Sequence, residues 1–236
     1  MNSKKIEYIL FARSIPEFSK RYGGLFSCSL GYSPTLNNLI RIYPIPLINM
    51  RLWEKYSIEV EKNNRDSRIE SFKLKSYSKY ENWYGFEKDV IFLSKYNKGD
   101  IFNFLSMSNL LSSNIDDLNK QKKSIGIIKV DQLNCYWDLN ERYINSTQLG
   151  LFEDVGLADW TSYTKESKQC EARIRFISNN KQHDLQINEW GVYEFYRKFA
   201  GKYQLNDAFK NWNKAQYLLL GNLHSHRNIW TVLNYF

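Results

Sequence analysis

Three cysteines, Cys28, Cys135 and Cys170, are all that the 236 residues contain, and they are far apart. An odd, scattered set excludes a disulfide framework and points to a reducing compartment. Long apolar runs are missing too. No stretch approaches the roughly 18 to 20 apolar residues of a spanning helix. The polar start from Met1 to Glu7 leads only into the short run from Tyr8 to Ala12, which Arg13 ends. That is shorter than the apolar core of a secretory signal and has no small-residue cleavage site after it. A soluble, cytoplasmic protein without a membrane role is expected.

Catalytic signatures are equally scarce. No His-x-Glu precedes a Pro-Cys-x-x-Cys, so deaminase zinc chemistry lacks its ligands and its proton shuttle. Gly23 and Gly24 have neither the spacing nor the following helix of a phosphate-cradling loop. A Gly-x-Ser-x-Gly elbow is absent. Glu70 and Lys73 resemble the tail of a metal-nuclease motif, yet no aspartate at strand spacing precedes them in a suitable element. Only three histidines occur, His183, His224 and His226. Two of them, one residue apart, could share a metal if they lay on a strand. They fall instead in a polar turn. No repeat of fixed period and no low-complexity tract is found.

What is abundant is aromatic and basic. Aromatics are 16% of the chain, with 17 Tyr, 14 Phe and 7 Trp, a composition that favours pleated, half-buried surfaces. The net charge is +8 and its distribution is uneven. Residues 1–80 hold 14 Lys and Arg against 7 Asp and Glu, an excess of 7, while residues 81–236 hold 19 against 18. A concentrated excess attracts phosphates over roughly a Debye length of 8–10 Å, whereas dispersed charge mainly aids solubility. Biased Lys and Asn usage is the competing explanation.

Alternation predicts strands over Lys5 to Ala12, Leu25 to Leu30, Leu39 to Tyr43, Trp53 to Glu61 and around Phe72 to Leu74. Gly31 to Pro34 reads as a turn. Pro44 and Pro46 end the third strand, because proline cannot donate to a ladder. Helical spacing runs from Asp100, read as an N-cap, to Leu111, and again over Asp116 to Gln121. Ile125 to Val130 reads as a buried strand, and Asp131 to Tyr163 as loop with short elements. Glu171 to Ile177 and His183 to Ile187 form a hairpin with a longer turn. Asn188 stands as the cap of a helix whose Trp190, Tyr193, Tyr196 and Phe199 line one buried face. A further helix over Asn206 to Ala215 precedes closing strands at Tyr217 to Leu220 and Trp230 to Leu233.

The basic loop and its flank carry the binding signal. Lys62, Arg65, Arg68, Lys73, Lys75 and Lys79 are interleaved with Tyr77, Tyr80, Trp83 and Tyr84. Such cations neutralise phosphates while aromatic faces stack bases, each stack contributing about 1–3 kcal/mol. Asp66 and Glu70 leave open a different outcome, a loop that neutralises itself.

The passages Tyr8 to Ser14, Lys20 to Gly31 and Leu39 to Pro46, with Glu189-Trp190 and Leu220 to Asn222 near the end, resemble the dual OB-containing domain proteins of prokaryotes. That resemblance implies small barrels of the oligonucleotide-binding type and a role beside mobile elements or antiviral systems. It implies no catalytic residue. The sequence departs from the pattern at the polar Ser27 to Leu30 strand and at the helical stretch from Asp100 to Leu111, which does not suit a second barrel.

The expected fold is therefore α+β and strand-rich. Residues 1–98 form an OB-like β-barrel region, 99–160 a helical and loop connection, and 161–236 a small helix-covered sheet packed on the first. The expected function is non-catalytic nucleic-acid binding, with DNA and RNA both open, as an accessory subunit beside a protein partner. Arg41, Arg65, Arg68, Lys73 and Lys75 would hold phosphates, and Tyr77 and Trp83 would stack bases. No cofactor and no metal is expected. Two alternatives stand: an interaction scaffold for an acidic partner, and a metal-dependent nuclease using His183, His224 and His226.

Overall fold

The computed structural model describes residues 3–19, 24–45, 50–75, 90–97, 99–101, 103, 110–112, 114–139, 170–199, 205–224 and 226–236. The opening apolar run becomes part of β1 (Lys4–Arg13), a strand buried on both sides. Ile6, Tyr8 and Leu10 enter one core, while Ile9 and Phe11 enter another. A strand covered on both faces loses polar alternation and reads as one hydrophobic stretch.

β1 pairs with β3 (Gly24–Ser33), which β2 (Glu17–Ser19) extends at its start. Gly31, expected in a turn, lies inside β3. A Cβ there would stand 2.0 Å from the Ile9 carbonyl oxygen, so the close approach of β1 requires glycine. The turn comes later, at 34–37, before β4 (Asn38–Ile45). That strand also runs past Pro44, contrary to expectation. The β3–β4 register jumps between Ser27 and Ser29, and Pro44 sits in this irregular stretch, where a bulge tolerates its missing N–H.

β5 (Glu54–Lys62), β6 (Ser71–Leu74) and β7 (Val90–Lys95) complete the sheet. β4 pairs with β6 in parallel, β6 with β5 and β5 with β1 in antiparallel fashion. The circuit β1-β3-β4-β6-β5-β1 is a closed five-stranded barrel of OB-like form. Its interior holds Tyr8, Leu10, Ile40, Ile42, Tyr56, Ile58 and Val60, the inward halves of alternating strands.

The stretch expected to be helix and loop supplies strands. β8 (Leu111–Ser112), α1 (Ile115–Lys120), β9 (Ile125–Lys129) and β10 (Asp131–Leu139) follow one another. Asn114 caps α1, its Oδ1 accepting from the Asp117 N–H at 2.9 Å. Near 99–101 the capping side chain is Asn97 rather than Asp100, with the Asp100 N–H donating to Asn97 Oδ1 at 2.8 Å. β10 corrects the loop reading of its segment: Leu133, Cys135 and Trp137 alternate with polar neighbours against a buried cluster. Residues 140–169, the rest of that segment, lie outside the described residues.

β11 (Cys170–Ser178) and β12 (Lys181–Gln186) join through Asn179 and Asn180, both at positive φ, 50° and 59°. That is a tight two-residue turn rather than a longer one. In α2 (Trp190–Phe199) the cap is Glu189, whose carboxylate accepts from the Val192 N–H at 2.8 Å. Asn188 instead accepts from the Ile15 N–H, tying the end of β1 to the C-terminal region. Two short 3₁₀ turns, Leu205–Phe209 and Trp212–Lys214, replace the expected helix before β13 (Tyr217–Asn222) and β14 (Trp230–Tyr235).

β10-β11-β12 form a three-stranded sheet and β14-β13-β9-β8 a four-stranded one. β9 from the middle of the chain thus shares a sheet with β13 and β14 from its end. One core lies under α2 and the smaller sheets, built around Phe176, Tyr193, Phe209 and Leu220. Another joins Ile9, Phe11, Leu30 and Leu39 of the barrel to Ile125, Ile127, Leu219 and Leu233 of the four-stranded sheet. Among the described residues no helix is long and apolar enough to cross a membrane.

Candidate nucleic-acid interface

OB barrels take ligands on the face of their second and third strands and on the loops flanking it. Here those strands are β3 and β4, and the loop between the fourth and fifth barrel strands is 63–70. The four-stranded sheet covers the β3–β4 face. Arg41, projecting outward from β4 between the inward Ile40 and Ile42, is 4% exposed. Its Nη2 donates to the Ser124 carbonyl at 2.7 Å and its Nη1 to the Asn222 carbonyl at 3.4 Å. Burial pushes its pKa down. Arg41 is a clamp between barrel and sheet and cannot reach a phosphate.

Arg68 is corrected in the same way. Only 8% exposed, it donates through Nε to both oxygens of Asp66, at 2.8 and 2.9 Å, and through Nη1 to the Asn222 carbonyl at 3.0 Å. Burial raises the Asp66 pKa, but hydrogen bonds led by Arg68 outweigh it and hold the carboxyl well below its ordinary value. Glu70 accepts from the Ser124 N–H at 3.1 Å and the Ser124 hydroxyl at 2.9 Å. Two cations and two carboxylates thus lie buried at the barrel–sheet junction.

Lys73 pairs with Glu61 at 2.6 Å and Lys75 with Glu59 at 2.8 Å. Both are neutralised across adjacent strands. Tyr77 and Trp83 lie outside the described residues. Of the expected phosphate contacts, Arg65 alone is exposed with no ion pair among the described residues.

A different grouping emerges around Arg65. The β13–β14 turn docks on the β5–β6 loop: Arg227 Nη2 donates to the Ser67 hydroxyl, and His224 Nδ1 lies 3.4 Å from Asp66 Oδ1. The Asn222 amide holds the turn by donating to the Arg227 carbonyl at 3.0 Å. Arg65, Arg227, His224 and His226 face solvent on these two segments, and Lys62, the last residue of β5, is exposed beside them with its ammonium donating to the Ile69 carbonyl. Ile69 and Ile229, exposed by 70% and 50%, lie on the same two segments. Asp66, the carboxylate between them, is committed to Arg68. Sequence reasoning missed this rim because its halves are 160 positions apart. The one local signal was Arg227 directly after the histidine pair.

The histidines do not meet. His183 on β12 stacks on Phe176 with centroids 5.1 Å apart. Among the described residues no group of three His, Cys, Asp or Glu side chains could hold a metal. A second basic group, Arg173 and Arg175, is balanced by Glu171 and Asp184 on its own sheet.

The chain matches one family model, described as a domain of unknown function (DUF8758), over residues 4–88. That span contains the whole barrel, β1 to β6. No curated protein and no solved structure matches.

Proposed function

We propose that the protein binds nucleic acid without catalysis, through the rim built from the β5–β6 loop and the β13–β14 turn. The observation that carries this reading is the docking of Arg227 on Ser67, which brings three exposed cations, Lys62, Arg65 and Arg227, to adjoining segments. The barrel's usual face is taken by its own sheet, and the rim includes the loop 63–70 that flanks that face. Three phosphate contacts predict modest, strongly salt-dependent affinity. From 50 to 200 mM salt, duplex DNA should lose about 40-fold and a single strand about 20-fold.

Electrophoretic shifts with single- and double-stranded DNA and RNA across that range test the reading. Arg65→Glu with Arg227→Glu should abolish the shift. Salt-independent binding, or binding indifferent to the pair, overturns it. The resemblance to dual OB-containing proteins supports an accessory role beside antiviral or mobile-element systems. The unpaired thiols of Cys28 and Cys135 support a reducing, cytoplasmic setting.

A second reading, an interaction scaffold, draws on β7. It pairs with β5 on one side, and its Ile91, Phe92 and Leu93 are all exposed. Such a strand suits addition of an extended partner segment. Crosslinking from a residue placed in β7 tests it.

A further inference from the structure

A cavity of about 280 Å³ lies beside the rim, where the β3–β4 turn, the end of the β5–β6 loop and the segment from α1 to β9 converge. We infer that this cavity takes one nucleotide whose base carries an exocyclic amino group, with Glu70 facing the base and Lys122 and Lys123 facing the phosphate. The choice of a nucleotide rests on the rim reading; the cavity itself does not.

Size comes first. The volume falls just under the roughly 300 Å³ at which small-ligand pockets begin, which limits the occupant to a single small unit. Leu39 and Ile125 supply apolar wall and Asn38 an amide, the mixture suited to a flat ring with polar edges. Glu70 lines the cavity yet is only 7% exposed. Each of its oxygens accepts once from Ser124 and keeps a second lone-pair site. A buried carboxylate accepts N–H groups and repels carbonyl edges. Cytosine, adenine and guanine offer amino N–H groups there, whereas uracil and thymine present mainly oxygens.

The backbone holds these groups in place. Asn37 and Lys122, both lining the cavity, are non-glycine residues at positive φ, 48° and 53°. Asn37 is fixed by the Tyr32 hydroxyl, which donates to its Oδ1 at 2.8 Å. Lys122 and Lys123 are fixed by N–H bonds to the Asn119 and Leu118 carbonyls at 3.0 and 2.9 Å, which close α1. Two lysines on a fixed corner give a phosphate two donors. The cavity is also continuous with the rim. Ile69 lines it, and the Lys62 ammonium donates to the Ile69 carbonyl. A strand lying on the rim can therefore drop one base inward.

The test is calorimetric titration of the full chain with 5′-GMP, CMP, AMP and UMP, and with inorganic phosphate. The expected result is saturable binding of the three amino-bearing nucleotides, with UMP and phosphate weaker by about tenfold. Lys122→Glu with Lys123→Glu should weaken GMP at least about tenfold while leaving the melting temperature unchanged. Arg65→Glu with Arg227→Glu should leave GMP binding intact. Glu70→Gln, where it folds, should narrow the gap between GMP and UMP. The inference is overturned if no mononucleotide saturates, if UMP or phosphate binds as well as GMP, or if the lysine reversals change nothing. Oligonucleotide shifts that persist while mononucleotides fail remove the cavity proposal and leave the rim. GMP binding without any oligonucleotide shift supports the cavity and removes the rim.

Discussion

Arg68 and Asp66 grip each other beneath the β13–β14 turn, with the Arg68 Nε 2.8 Å from Asp66 Oδ1 and its backbone N–H 3.1 Å from the same oxygen. Both side chains are under a tenth exposed. The β5–β6 loop is thus pinned from inside.

Removing one partner leaves a buried charge alone. Asp66→Asn should cost about 3–5 kcal/mol in chemical denaturation, whereas Asp66→Leu with Arg68→Met should recover most of that.

Acid should act through the same pair. Asp66 has a depressed folded pKa, so its contribution is full above the unfolded value near 3.9 and is lost as pH falls through the folded value. Wild-type stability should drop below about pH 4, and Asp66→Asn should flatten that drop when melts are compared at successive pH values.

Glu189 carries the opposite sign. Burial raises its pKa despite N–H bonds from Gly191 and Val192. The neutral form suits the fold, so its contribution is full below the unfolded pKa and is lost as pH rises through the folded one. Glu189→Gln should therefore gain on wild type as pH rises above the unfolded value near 4.3, while Glu189→Ala should lose a cap of about 1 kcal/mol.

Arg41 separates stability from binding. Arg41→Ala should cost about 1.5–3 kcal/mol for the lost charged hydrogen bonds to Ser124 and Asn222. Oligonucleotide affinity of the folded variant should not change, as a filter-binding assay can measure.

Burial pushes the Cys135 thiol up to about 12. At pH 8 the native protein should resist maleimide at Cys135, and denaturant should release it, as peptide mass mapping can follow.

The strands were legible wherever alternation or a two-sided apolar run was clear, as in β1, β5, β9 and β11. β10 was misread although Leu133, Cys135 and Trp137 alternate, because Asn134 and Asp138 are residue types that strands disfavour. Gly31 looked like a turn because sequence cannot report how near another strand passes. The site was less legible. Arg41, Arg68, Lys73 and Lys75 are ordinary cations in one dimension, and only Arg65 among the expected phosphate contacts is exposed and unpaired among the described residues.

Local chemistry alone determined a strand-rich chain with an excess of positive charge in its first third, since periodicity and composition depend on neighbours a few positions apart. Which cations stay in water was decided by contacts across 83, 154 and 160 positions, from Arg41 to Ser124, Arg68 to Asn222 and Arg227 to Ser67. A charge costs most where water is removed, and that removal is a property of the assembled sheets rather than of any segment.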